Sequence, residues 1–182
     1  MNALVSYLLI VLTAIAPHVS TPRRSSIARD IAAVTLSEER AFESDESGLQ
    51  TALLVVSLAH FESGKSWAAW IDDGRCNDPE WRVIHADWLK GGGCDNAKAW
   101  GLWQVHAPGD DPVIGRKYVR DRKKGISAAL YIARASIRMG VGLCAYSGEK
   151  YPHCPLADRR LRTAREWAQR FPFPEDTTLA ER

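Results

Sequence analysis

Long hydrophobic runs are scarce in this chain. The apolar run over residues 3–16 is too short for an ordinary membrane span. Charge of one sign is scarce as well. There are 24 Lys and Arg against 22 Asp and Glu, a formal net charge of +2. So weak a bias gives no ground for a nucleic-acid partner, and it permits an acidic polymer without requiring one. No C-x-x-C pair occurs, which weakens a zinc reading, because zinc sites usually carry close Cys or His pairs. No G-x-S-x-G elbow occurs, so Ser63 beside His60 is not read as a nucleophile with its base. No internal repeat is present, and no alternating strand pattern runs beyond a few residues.

What is present suits a mainly α globular fold. The chain has 182 residues, 46% of them hydrophobic and 25% charged. That length fits one domain with a core of useful size. Seven Trp is a high count for this length. Some belong in the core, but exposed indoles also make platforms for the flat faces of sugars. Four Cys occur, at Cys76, Cys94, Cys144 and Cys154. Pairing Cys76 with Cys94 and Cys144 with Cys154 staples one loop each and implies an oxidising destination. Other connectivities stay open, as does a zinc site with His85, His106 or His153.

The run over residues 3–16 has the length of a signal-peptide core, and Ala14-Ile15-Ala16 resembles a cleavage box. No Lys or Arg precedes it, and Pro17 follows it. It also reads as an amphipathic helix, with Asn2, Ser6 and Thr13 in one wedge and Leu4, Tyr7, Leu8, Val11, Leu12 and Ile15 over the rest. A helix of the domain is the preferred expectation, and export then needs another route, such as lysis or packaging into a phage particle. Further helices are expected at residues 26–35, capped by Ser25 or Ser26, at 49–61, at 126–139, and from Pro155 to about 171. In the last, Leu156, Leu161, Ala164 and Trp167 share a side, and Arg159, Arg160, Arg162 and Arg165 are expected to be solvated. The helix at 49–61 is apolar on all sides, which places it at the centre of the domain. Gly64 is suited to cap its end. The expected domain covers residues 1–171, with helices in 1–36 packing on a core of 49–171, and an extended tail over 172–182.

Three short segments stand out. They are His60-Phe61-Glu62-Ser63-Gly64, Gly101-Leu102-Trp103-Gln104 and Ala145-Tyr146-Ser147-Gly148. In these segments and their order, the chain resembles the lysozyme-like lytic transglycosylases, the SLT-domain family, which are related to goose-type lysozymes. The resemblance covers about residues 49–170. Trp103 stands where that family usually has Met, and Ser147 where Asn is common. The stretch between Glu62 and Gly101 is longer than usual.

The resemblance implies a lysozyme-like fold and cleavage of peptidoglycan glycan strands; with the two cysteine pairs, the expected fold is a mainly α, lysozyme-like single domain with long disulfide-stapled loops. It implies Glu62 as the acid/base, Tyr146 hydrogen-bonding near it, and Ser63, Gln104 and the backbone around Gly101 and Leu102 holding N-acetyl groups. Trp103, Trp67 or Trp70 would line the groove. Neither a cofactor nor a metal is implied. The destinations are the cell envelope, the periplasm, the extracellular space or a phage particle. Physically, protonating a glycosidic oxygen near neutral pH needs a carboxyl whose pKa is raised by burial. Ordinary glycosidases add a second carboxylate. The family dispenses with it, because the sugar's own 6-hydroxyl attacks. Asp72, Asp73, Asp78, Asp87 and Asp95 are candidates for steering water if the chain is instead a hydrolytic muramidase. A non-catalytic wall-binding or virion-structural module is the remaining alternative.

Overall fold

The computed structural model describes residues 3–63, 99–144, 146–147 and 149–173. The expectations for Trp67, Trp70, Cys76, Cys94, the capping Gly64 and the five loop aspartates lie outside the described residues, as does most of the tail. The described chain is mainly α. Its helices are α1 (Ala3–Ile15), α2 (Thr21–Ser37), α3 (Leu49–Ser63), α4 (Pro112–Arg120), α5 (Arg122–Arg138) and α6 (Pro155–Arg170). A small antiparallel hairpin joins β1 (Ala99–Trp100) to β2 (Val105–His106), with Trp100 opposite Val105.

Helix α3 is the centre. Residues 51–59 are all buried, which follows from its lack of a polar face. It packs against α1, α2, α5 and, most extensively, α6. Its N-terminus is fixed by a buried carboxylate. Asp45 accepts hydrogen bonds from the amides of Gln50 at 3.1 Å and Thr51 at 2.7 Å. Those are orphan donors of a first helical turn, and an anion suits that end of the dipole. The residues 3–16 expectation of a helix holds over Ala3–Ile15, with Leu4, Tyr7, Leu8, Val11 and Leu12 in the core. Among the described residues, no helix is long and apolar enough to cross a membrane.

Helix α2 starts earlier than the capping serines suggest, at Thr21, with Pro22 in its first turn. The cause is Arg24. Its Nη1 faces the carbonyls of Ala16, Pro17 and Val19, and its Nη2 meets the Thr21 hydroxyl. A buried guanidinium needs such partners, and these carbonyls need donors at the end of α1. Helix α5 likewise starts at Arg122, because Asp121 caps it by accepting from the Lys123 amide. Helix α4 was not expected from the sequence. Asp111 accepts from the Val113 amide at 2.8 Å, and Pro112 opens the helix. Gly115 lets α4 lie on the hairpin, since a Cβ there would come within 2.1 Å of the Trp100 ring.

Two expectations about the end of the chain change. Arg160 is buried in α6, while Arg159, Arg162 and Arg165 are exposed. Leu156 is exposed rather than on the apolar side. Beyond α6, Phe173 is buried, its ring 5.4 Å from Tyr7.

Candidate active site

Glu62 lies in the last turn of α3, one residue before the helix ends. Its side chain is 19% exposed. Burial pushes its carboxyl pKa up from 4.5; Arg160 opposes that push by charge and hydrogen bond, with a smaller contribution from His106. Burial wins, so the net direction is upward. An isolated charge at this depth would be costly, and Arg160 reduces that cost without removing it.

The three sequence segments meet around this carboxyl. Ser63, next to Glu62, donates from Oγ to the Leu102 carbonyl at 2.5 Å. Tyr146 donates from its hydroxyl to the Trp103 carbonyl at 2.7 Å. Arg160 donates from Nη1 to Ser147 Oγ at 2.8 Å and from Nη2 to Glu62 Oε1 at 2.5 Å. Thus Arg160 joins the third segment to the first. Tyr146 does not bond Glu62 directly, but burial first, and the Glu62 charge second, push its hydroxyl pKa well above 10. Tyr146 therefore stays a neutral donor across the physiological range.

The Gly101–Gln104 turn is tight. Gly101 has φ +74° and Gln104 φ +48°, and the Gln104 amide bonds the Gly101 carbonyl at 3.1 Å. Glycine takes the left-handed region at no steric cost. The Gln104 side chain also donates to the Gly101 carbonyl, at 2.8 Å.

The roles expected for this turn separate. Leu102 and Trp103 are each 1% exposed. The Trp103 indole donates to the Val55 carbonyl inside α3 at 2.9 Å. It packs in the core rather than lining a groove, because its large ring fills the space beside α3 and its N–H finds a helix carbonyl there. Ser63 is buried and spends its hydroxyl on Leu102. Gln104 is half-buried and Gly101 buried. His60 is half-buried between Phe61 and Trp167, at ring distances of 5.3 and 5.5 Å.

Cys144 and Cys154 form a disulfide. It closes the loop that carries Tyr146 and Ser147 onto the start of α6. Glu149, inside that loop, accepts from the amides of Leu156 and Ala157 at 3.1 and 2.9 Å. No grouping of His, Cys, Asp and Glu that could hold a metal occurs among the described residues. An open surface depression of about 540 Å³ lies elsewhere, lined by Asp30, Arg120, Asp121, Arg122 and Lys123. It shares no residue with the Glu62 group, and Arg122 there is engaged by Asp30 and Ser26.

Arg160 is the residue that reading the sequence missed. The signal was its spacing. Ala157, Arg160, Ala164 and Trp167 form one buried stripe of α6, so a charge at 160 required a buried partner. No family model matches the chain, and no curated protein or solved structure does either.

Proposed function

We propose that this chain is a lysozyme-like peptidoglycan lytic enzyme with Glu62 as its single acid/base. The observation that carries the reading is the meeting of three sequence-distant segments around one half-buried carboxyl whose proton is held above the ordinary range. Chemically, the Glu62 carboxyl gives its proton to the oxygen linking N-acetylmuramic acid to N-acetylglucosamine. That bond breaks, and the muramic 6-hydroxyl attacks the anomeric carbon. Glu62 recovers the hydroxyl proton, and the product is a 1,6-anhydro sugar. No water is consumed. Tyr146 stays neutral, and its one hydroxyl proton is on the Trp103 carbonyl, so its oxygen is left as an acceptor near the positive charge that develops on the sugar. The backbone of the Gly101–Gln104 turn and the Gln104 amide offer polar contacts for an N-acetyl group.

One observation favours a second reading. Arg160 engages Glu62 directly, and a buried ion pair can serve only to join two helices. A wall-binding or virion-structural module would need no more than that. Turbidity clearing of purified cell wall separates the two. Glu62→Gln is expected to lower the clearing rate by about 10²–10⁴-fold while wall pull-down persists. Equal clearing by the parent and Glu62→Gln refutes the catalytic role.

A further inference from the structure

Arg160 is held from several sides. The residue is 7% exposed. Its backbone carbonyl accepts from Ser57 Oγ of α3 at 2.8 Å. Its guanidinium lies 5.8 Å from the centroid of the Phe61 ring. Nη1 is tied to Ser147 and Nη2 to Glu62 Oε1, while Nε has no hydrogen-bond partner among the described residues. Among the described residues, Glu62 is held through Oε1 alone.

We propose that Arg160 is a positioning residue, which grips Glu62 by Oε1 and leaves Oε2 as the oxygen that gives and takes the proton. This role rests on the acid/base work proposed for Glu62. A carboxyl that swings freely has two equivalent oxygens and many rotamers. A planar guanidinium anchored at Ser147 and stacked near Phe61 fixes one rotamer and one working oxygen.

The charge matters as much as the geometry. An acid that gives a proton and later recovers it works best when its pKa lies near the working pH. Burial alone can carry a carboxyl several units too high. Arg160 pulls it back, and because a guanidinium does not deprotonate, that pull is constant with pH. Among the described residues, the groups that face Glu62 are Arg160 from α6, His106 from β2 and Tyr146 from the loop after α5. Arg159 lies over Phe61, at 5.3 Å. Of these, Arg160 alone both touches the carboxylate and keeps its charge at every pH.

The test is a ¹³C NMR titration of the Glu62 side-chain carboxyl in the full chain, its signal assigned by loss in Glu62→Gln. Arg160→Gln is expected to move the midpoint up by about 1 pH unit or more. Arg160→Lys keeps the charge without the fork, so a smaller rise is expected. The alkaline limb of the wall-clearing profile should move up with the midpoint, since the acid must be protonated to act. An unmoved midpoint in Arg160→Gln overturns the role and leaves the pair as a simple link between α3 and α6. Should Arg160→Gln fail to fold, Ser147→Ala decides. It unties Nη1 alone, so a rise supports the role and no rise overturns it. Clearing that survives Glu62→Gln sinks the acid/base reading itself, whatever the midpoints do.

Discussion

At Glu62 two forces act on one proton, and burial prevails over Arg160. The folded chain therefore binds that proton at a pH where an unfolded chain has released it. The associated stabilisation is complete below about pH 4.5, the ordinary value, and is lost as pH rises through the higher folded value. Glu62→Gln removes this titration. Urea unfolding should then show the variant gaining stability relative to its parent as pH rises from about 4.5 through the higher folded value. A constant or falling difference would mean that Arg160, not burial, sets the carboxyl's state. Trp103 offers a second check at this scale. As a core residue bonded to Val55, its change to Ala should cost about 3–5 kcal/mol of folding stability. A sugar platform would instead lose wall affinity with the fold intact.

Between elements, packing is decided by single residues that sequence patterns present unevenly. Gly115 meets the face of Trp100, so Gly115→Ala should lower stability by about 1–3 kcal/mol through overpacking, measurable as a lower Tm. Helix α3 was legible because an apolar run without a polar face has one sensible location. Helix α1 was legible from its wedge of polar residues. Helix α4 was passed over although Asp111 and Pro112 form a clear start signal, because its apolar residues are few and Val113 is exposed. The early start of α2 was hidden because Arg24 acts on carbonyls of the connection between α1 and α2. The candidate carboxyl was legible from motif order and from the helix it ends. Its partner was not, because arginine in an apolar stripe reads as a solvated face until the facing carboxylate is known. Trp103 was misplaced for a related reason, since indoles suit both cores and sugar platforms.

Over the whole molecule, the Cys144–Cys154 bridge ties the Tyr146 loop to α6, and α6 to Glu62 through Arg160. Closing so short a loop is worth about 2–3 kcal/mol in the chain-entropy view. Replacing both cysteines by Ser should lower stability by that amount and slow wall clearing, because the Ser147 anchor of Arg160 loosens with the loop. Unchanged clearing would detach the bridge from the site. The chemistry itself is read in the products. Purified peptidoglycan digested by the full chain and analysed by mass spectrometry should yield muramic ends one water lighter than reducing ends, and Glu62→Gln should yield none. Reducing ends would make the chain a hydrolase, and an intact polymer after digestion by the parent would contradict glycan cleavage altogether.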